Sequence, residues 1–275
     1  MKISNFTYLL ALLLIGISCK EEAPKEMGTT IGSLYISDSI PSAGKSLDIK
    51  YTPKGNTEDL KAHYYYVANG KFYPVDINLT KETESYNATI NIPDSASAIA
   101  FNFKNGDVND SNDKKGYVFA LTDANKEKLA GSVAAAEMYK LQYGANYGIE
   151  TDKAISVTKI KKDLTKNVGA QKHWDRTFPR SLKQVEKEES KEYINSRIAS
   201  YTTKKSLTED EYRTLGNLYQ FNGQGNVLDS LQNVIAEKYP KGQFAQQAVW
   251  SKFYEEKDAS KQKEILKQFE TNFGK

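Results

Sequence analysis

The chain has 275 residues, with 38 Lys and Arg against 35 Asp and Glu and a formal net charge of +3. Charges of both signs are interspersed, which excludes strong electrostatic steering, so no nucleic-acid partner is expected. The single cysteine excludes an intramolecular disulfide, so stability must come from core burial, and the length leaves room for two modest domains once an N-terminal leader is set aside.

The leader comes first in the chain. Lys2 supplies a positive start, Phe6 to Ile17 an apolar run, and Gly16, Ile17 and Ser18 lead into Cys19. The run is too short to span a bilayer comfortably and has the flanks of a signal peptide. The pattern resembles a bacterial lipobox, which implies cleavage between Ser18 and Cys19 and acylation of Cys19, palmitate included, enough for stable anchoring. It departs from the lipobox at Gly16, where Leu is usual; an ordinary signal peptide or an anchor helix with a chance cysteine are the other readings. The expected organisation is a signal peptide over 1–18, a charged tether over 19–30, a β-sandwich over 31–130, a transition segment over 131–150 and a helical region over 151–275. Lys20, Glu21 and Glu22 resemble a surface-export signal of Gram-negative lipoproteins, so the expected location is the outer membrane, facing periplasm or cell surface. Three Asp-Ser-apolar triplets, at Asp38, Asp94 and Asp229, resemble bacterial O-glycosylation sites and are also ordinary turn chemistry.

Up to about residue 150, β-branched and aromatic residues alternate with polar ones. Strands are predicted at Ser33–Ser37, Ser46–Tyr51, Ala62–Ala68, Lys71–Leu79, Ser85–Ile92, Ala98–Lys104 and Tyr117–Leu121. Asn69-Gly70 predicts a hairpin turn, and Pro74 marks an edge strand or a bulge. Seven short strands with frequent turns point to an immunoglobulin-like sandwich. Ser132–Tyr143 is Ala-rich and helical in character, placed between the two halves.

Beyond that point Pro and Gly thin out and the period becomes helical. Helices are predicted at about Thr151–Asn167, Ser181–Thr202, Thr208–Phe221, Asn226–Tyr239, Phe244–Glu256 and Ser260–Phe273. Thr208 opens the third with a capping box to Glu211, and Pro240-Lys241-Gly242 is a break. Tyr212, Leu215, Gly216 and Tyr219 have the spacing of the first helix of a tetratricopeptide (TPR) repeat, Leu228 falls in its second helix, and Pro240 takes the terminal position. Gln232 stands where an aromatic is usual, so a plain helical hairpin is the other reading. The fold class expected is α+β and multidomain, a sandwich followed by a TPR-like array that offers a protein partner a surface.

Side chains with chemical potential are few. His63 and His173 lie in different halves without metal-ligand spacing; His63 reads as a structural strand histidine, and His173 to Arg176 as an ordered linker with Trp174 and Phe178 buried. Gly106 to Asp113 is dense in carboxylates and amides, so Asp107, Asn109, Asp110 and Asp113 are candidate ligands for a hard cation. The calcium-loop glycine and terminal glutamate are missing, and the same residues make plain turns. Tyr-rich strands give Tyr64, Tyr66 and Tyr117 as candidates for a glycan face.

Pro41 to Gly44 with Leu47 to Tyr51, Ile99 to Gly106 with the Asn/Asp loop and Tyr117, and Tyr212 to Tyr219 with Tyr239 to Gly242 together resemble the N-terminal accessory region of TlpA-type thioredoxin-like disulfide oxidoreductase lipoproteins. The resemblance implies a sandwich and a helical spacer ahead of a redoxin domain. That family's Cys-x-x-Cys is missing here, so no catalytic residue carries over and no cofactor is expected. The leading expectation is a non-catalytic, lipid-anchored scaffold. The alternatives are a surface glycan-binding lipoprotein and a fragment of a full-length oxidoreductase; the helical ending without a closing element favours truncation.

Overall fold

The computed structural model describes residues 28–55 and 57–274. Cys19, the stretch 1–18 expected as a signal peptide, Lys20 to Glu22 and most of the expected tether over 19–30 lie outside them.

The chain is α+β. Among the described residues ten strands come first: β1 Thr29–Ile31, β2 Leu34–Ile36, β3 Ser46–Tyr51, β4 Leu60–Ala68, β5 Lys71–Asp76, β6 Thr80–Glu82, β7 Ser85–Asn91, β8 Ala98–Asn105, β9 Val108–Asp110 and β10 Tyr117–Ala120. Nine helices follow: α1 Ser132–Tyr143, α2 Lys153–Lys166, α3 Val168–Gln171, α4 Phe178–Val185, α5 Lys187–Thr202, α6 Glu209–Phe221, α7 Gly225–Lys238, α8 Gln243–Glu255 and α9 Ala259–Phe273.

The strands form two antiparallel sheets, one ordered β1-β2-β3-β7-β6 and the other β10-β8-β4-β5, with β9 also paired to β8. Alternation dictates the buried face of the first sheet: Leu47, Ile49 and Tyr51 of β3 point inward while Ser46, Asp48 and Lys50 face solvent. They meet Tyr64, Ile99, Phe101 and Phe103 of the second sheet in the inter-sheet core. Pro74 lies in β5, which ends the second sheet, where a missing N–H donor is tolerated. Asn69 and Gly70 both take positive φ, 50° and 72°, at the predicted hairpin turn. A Cβ at Gly70 would run into the His173 carbonyl oxygen, so the turn also needs glycine for its close approach to the helical half.

β8 is buried on both faces from Ala98 to Phe103. Ile99, Phe101 and Phe103 serve the inter-sheet core. Ala98 and Ala100 face the other way, into a second core with Ala134, Ala135, Met138 and Tyr139 of α1 and with side chains of α2 and α4. The alanines of the transition segment thus let α1 lie close against the sheet. A third core lies farther along the helices, around Ile194, Tyr201, Leu207, Leu215 and Leu218.

Two sequence-based expectations need correction. The single helix predicted over Ser181–Thr202 is two, α4 and α5, separated at Glu186, whose φ of −131° and ψ of 76° leave the helical region. The break redirects the chain: Phe178 and Leu182 enter the second core, whereas Ile194 and Tyr201 enter the third. The strand count is also ten rather than seven, because β1, β6 and β9 are three residues each, too short to show a period.

Candidate functional site

The predicted cation ligands do not converge. The Asp107 side chain is solvent-exposed and pairs with Lys104. Asn109 donates through Nδ2 to the Asn146 carbonyl at 3.1 Å. Asn112, Asp113 and Lys114 all take positive φ, 51°, 51° and 69°, a conformation that Asn and Asp tolerate better than most residues. That accounts for Asn112 and Asp113 in the loop. Among the described residues no three His, Cys, Asp or Glu side chains gather into a cluster fit for a metal ion.

Asp110 does something else. Its Oδ2 accepts from the Tyr51 hydroxyl at 2.9 Å and from the Tyr117 hydroxyl at 2.8 Å, and its Oδ1 accepts from the Asn112 N–H at 2.9 Å. Tyr51 belongs to one sheet and Tyr117 to the other, so one carboxylate latches the end of the sandwich. Burial opposes its charge, but the Asn112 N–H and the Tyr117 and Tyr51 hydroxyls outweigh burial and hold its pKa below the ordinary carboxylate value. Burial, with Asp110 beside them, pushes both tyrosine hydroxyls well above their usual range.

Of the three tyrosines offered for a glycan face, Tyr64 and Tyr117 are core residues, 4% and 1% exposed. The correction follows from strand alternation, which sends both into the inter-sheet core. Tyr66 alone is part-exposed, stacked on Tyr73 at 4.8 Å between ring centroids. His63 shares a hydrogen bond of 2.9 Å with the Tyr147 hydroxyl between sheet and helices; burial lowers its pKa, against the pull of Asp76. Trp174 and Phe178 are buried as expected. Ser39, Ser95 and Ser230 of the three triplets are exposed.

Among the described residues a wide concavity lies where the sheet-bound helices meet the later helices. It is a cleft of about 930 Å³ formed by α1, α2, the turn before α4, α4 itself and the end of α6. Its cations are Lys153, Arg176 and Arg180, and no acidic residue lines it. Gln142, Gln184 and Gln220 add side-chain amides, and the half-buried Leu141 and Phe221 supply apolar surface, while Val157 in the wall is fully buried.

Local sequence places these groups. Asp152 caps α2 by accepting from the Ile155 N–H at 3.0 Å, which puts Lys153 at the first helical position. In α4, Phe178 and Leu182 are buried, which turns Arg180 and Gln184 to the exposed side. Arg176 is braced: Nε donates to Thr214 Oγ1 at 3.0 Å, and Nη2 donates to the backbone and side-chain oxygens of Asp210, both at 2.8 Å. Lys183 donates to the Phe221 carbonyl at 2.9 Å, so α6 is tied to the α4 region at both of its ends. Sequence reasoning missed this site, since its cations come from separate elements; the spacing of Arg176 and Arg180, four apart beside an amphipathic turn, was the available signal.

Comparison with known proteins finds no matching family, no matching curated protein and no matching solved structure. No helix among the described residues is long and apolar enough to cross a membrane.

Proposed function

We propose that this chain is a lipid-anchored cell-envelope protein, held at an outer membrane through acylated Cys19, in which an immunoglobulin-like sandwich and TPR-like helix pairs form a non-catalytic interaction module. The observation that carries this reading is the short path from the leader to the folded body. Thr29, the first residue of β1, stands ten residues after Cys19, a span of about 35 Å at full extension. A body on so short a tether works at the membrane face.

Further support comes from the helices. Tyr212 and Tyr239, at the repeat-like positions, meet edge to face at 6.4 Å, and the Tyr239 hydroxyl donates to the Leu207 carbonyl. Leu215 and Gly216 are buried where the repeat pattern requires close helix approach. The scaffold reading is preferred to the glycan reading because Tyr64 and Tyr117 are occupied in the core. The likeness to the accessory region of TlpA-type lipoproteins agrees with a spacer or presenting role.

The test is fractionation with metabolic labelling. The wild type is expected in the membrane fraction and to incorporate labelled palmitate, and Cys19→Ala is expected to lose both. A variant that remains membrane-bound to the same extent overturns the reading. Protease accessibility on intact cells separates the cell surface from the periplasm.

A further inference from the structure

We propose that the cleft between α1, α2, α4 and α6 binds an acidic peptide segment of a partner protein. This deepens the interaction-module reading and rests on it, by naming the site and the chemistry of the partner.

Charge is the first argument. The cleft walls carry three cations and no carboxylate. Arg176 is already engaged by Asp210, whereas Lys153 and Arg180 are exposed and make no ion pair within 4 Å among the described residues. Two uncompensated cations with a braced third between neighbouring helices favour carboxylates presented by an incoming chain.

Shape and side-chain chemistry select a peptide among anionic ligands. The volume, about 930 Å³, lies near the top of the range of about 300–1,000 Å³ typical of ligand sites. Glutamine amides both donate and accept, which matches the alternating N–H and C=O groups of an extended backbone. Leu141 and Phe221, both half-buried, give apolar surface for the side chains between the acids. A sugar prefers a free aromatic face, and the one tyrosine that lines the cleft is engaged by three other rings, which leaves Phe221 as the cleft's other aromatic side chain. The Tyr143 ring is stacked on Tyr139 at 5.8 Å and packed by Tyr65 at 5.2 Å and Phe72 at 5.0 Å.

The experiment uses the full chain in detergent and a fluorescein-labelled dodecapeptide of alternating Glu and Ala, read by anisotropy. Saturable binding is expected, with the Gln-Ala analogue weaker by about tenfold or more and affinity falling as salt rises from about 0.05 to 0.3 M. Lys153→Gln with Arg180→Gln should weaken the acidic peptide by about tenfold. Both side chains are exposed, so circular dichroism should be unchanged. Lys263→Gln on α9 should change nothing. Charge reversal by Lys153→Glu with Arg180→Glu should shift preference to the Lys-Ala dodecapeptide, a gain that misfolding does not produce. No saturable binding, binding indifferent to the Lys153 and Arg180 changes, or stronger binding of hexagalacturonate through the same residues each overturns the proposal; the last assigns the cleft to an acidic glycan. The measurement does not depend on acylation, so a failed cleft and a failed anchor are distinguishable.

Discussion

Arg197 grips Asp175 through two parallel hydrogen bonds, Nε to Oδ1 at 2.8 Å and Nη2 to Oδ2 at 2.9 Å. The pair joins α5 to the turn before α4. Asp175 is fully buried, Arg197 nearly so, and the Tyr201 hydroxyl donates to the same Oδ2 at 2.8 Å. Arg197 also reaches Gln171 Oε1 at 2.9 Å, so one guanidinium ties α3, the turn and α5.

Asp175→Ala should therefore destabilise the protein by about 3–5 kcal/mol, because it leaves a buried guanidinium without its counter-charge. Combining Asp175→Asn with Arg197→Gln should cost less than the sum of the two single changes. Urea unfolding of the four species gives the coupling energy. A single Asp175→Ala variant within about 1 kcal/mol of wild type would show that the pair is dispensable.

The Asp110 latch makes a pH-dependent prediction. The folded-state pKa is depressed, so its stabilisation is complete above the unfolded value of about 3.9 and is lost as pH falls through the lower folded value. Asp110→Asn should cost about 1–3 kcal/mol at neutral pH. The gap between the two melting temperatures should then narrow below about pH 4. Parallel melting profiles from pH 7 to pH 2 would remove Asp110 as the group responsible.

Ala100 is 1% exposed on the helix-facing side of β8. Ala100→Leu should force α1 away from the sheet and cost about 1–3 kcal/mol through overpacking. Trp174 lies in the same core, 2% exposed, so its emission in a Trp250→Phe background should shift to the red as the layer loosens. Retained stability with unshifted emission would mean that the interface has room to spare.

The α+β order was legible because the period of the apolar residues changes near residue 150, and Leu47, Ile49 and Tyr51 show their buried face by alternation alone. The hairpin at Asn69-Gly70 and the capping box at Thr208 and Glu211 were legible because each is a local device written in adjacent residues. Asp110, one of the candidate oxygen ligands beside the plain-turn reading, is a hydrogen-bond acceptor between the two sheets. Its type marks an oxygen-rich site, but its partners Tyr51 and Tyr117 come from two sheets, and only the tertiary fold brings them to one oxygen. The helix break at Glu186 was hidden because Leu182 and Ile194 are both apolar in period yet serve different cores. The cleft was hidden for a related reason: Lys153, Arg176 and Arg180 look like ordinary surface charge until the fold sets them around one concavity between α1, α2, α4 and α6.

β8 gives alternate side chains to two cores, and this has an evolutionary consequence. Severed after Ala130, the strands would present Val67, Ala98 and Ala100 bare to water, an apolar face that α1, α2 and α4 otherwise cover. Gene rearrangements that move the strands without α1, α2 and α4 would export an aggregating fragment. The unit of inheritance therefore has to include the first helices, while α7 to α9, which among the described residues contribute to neither the second core nor the cleft, are where lengthening and shortening meet the least resistance.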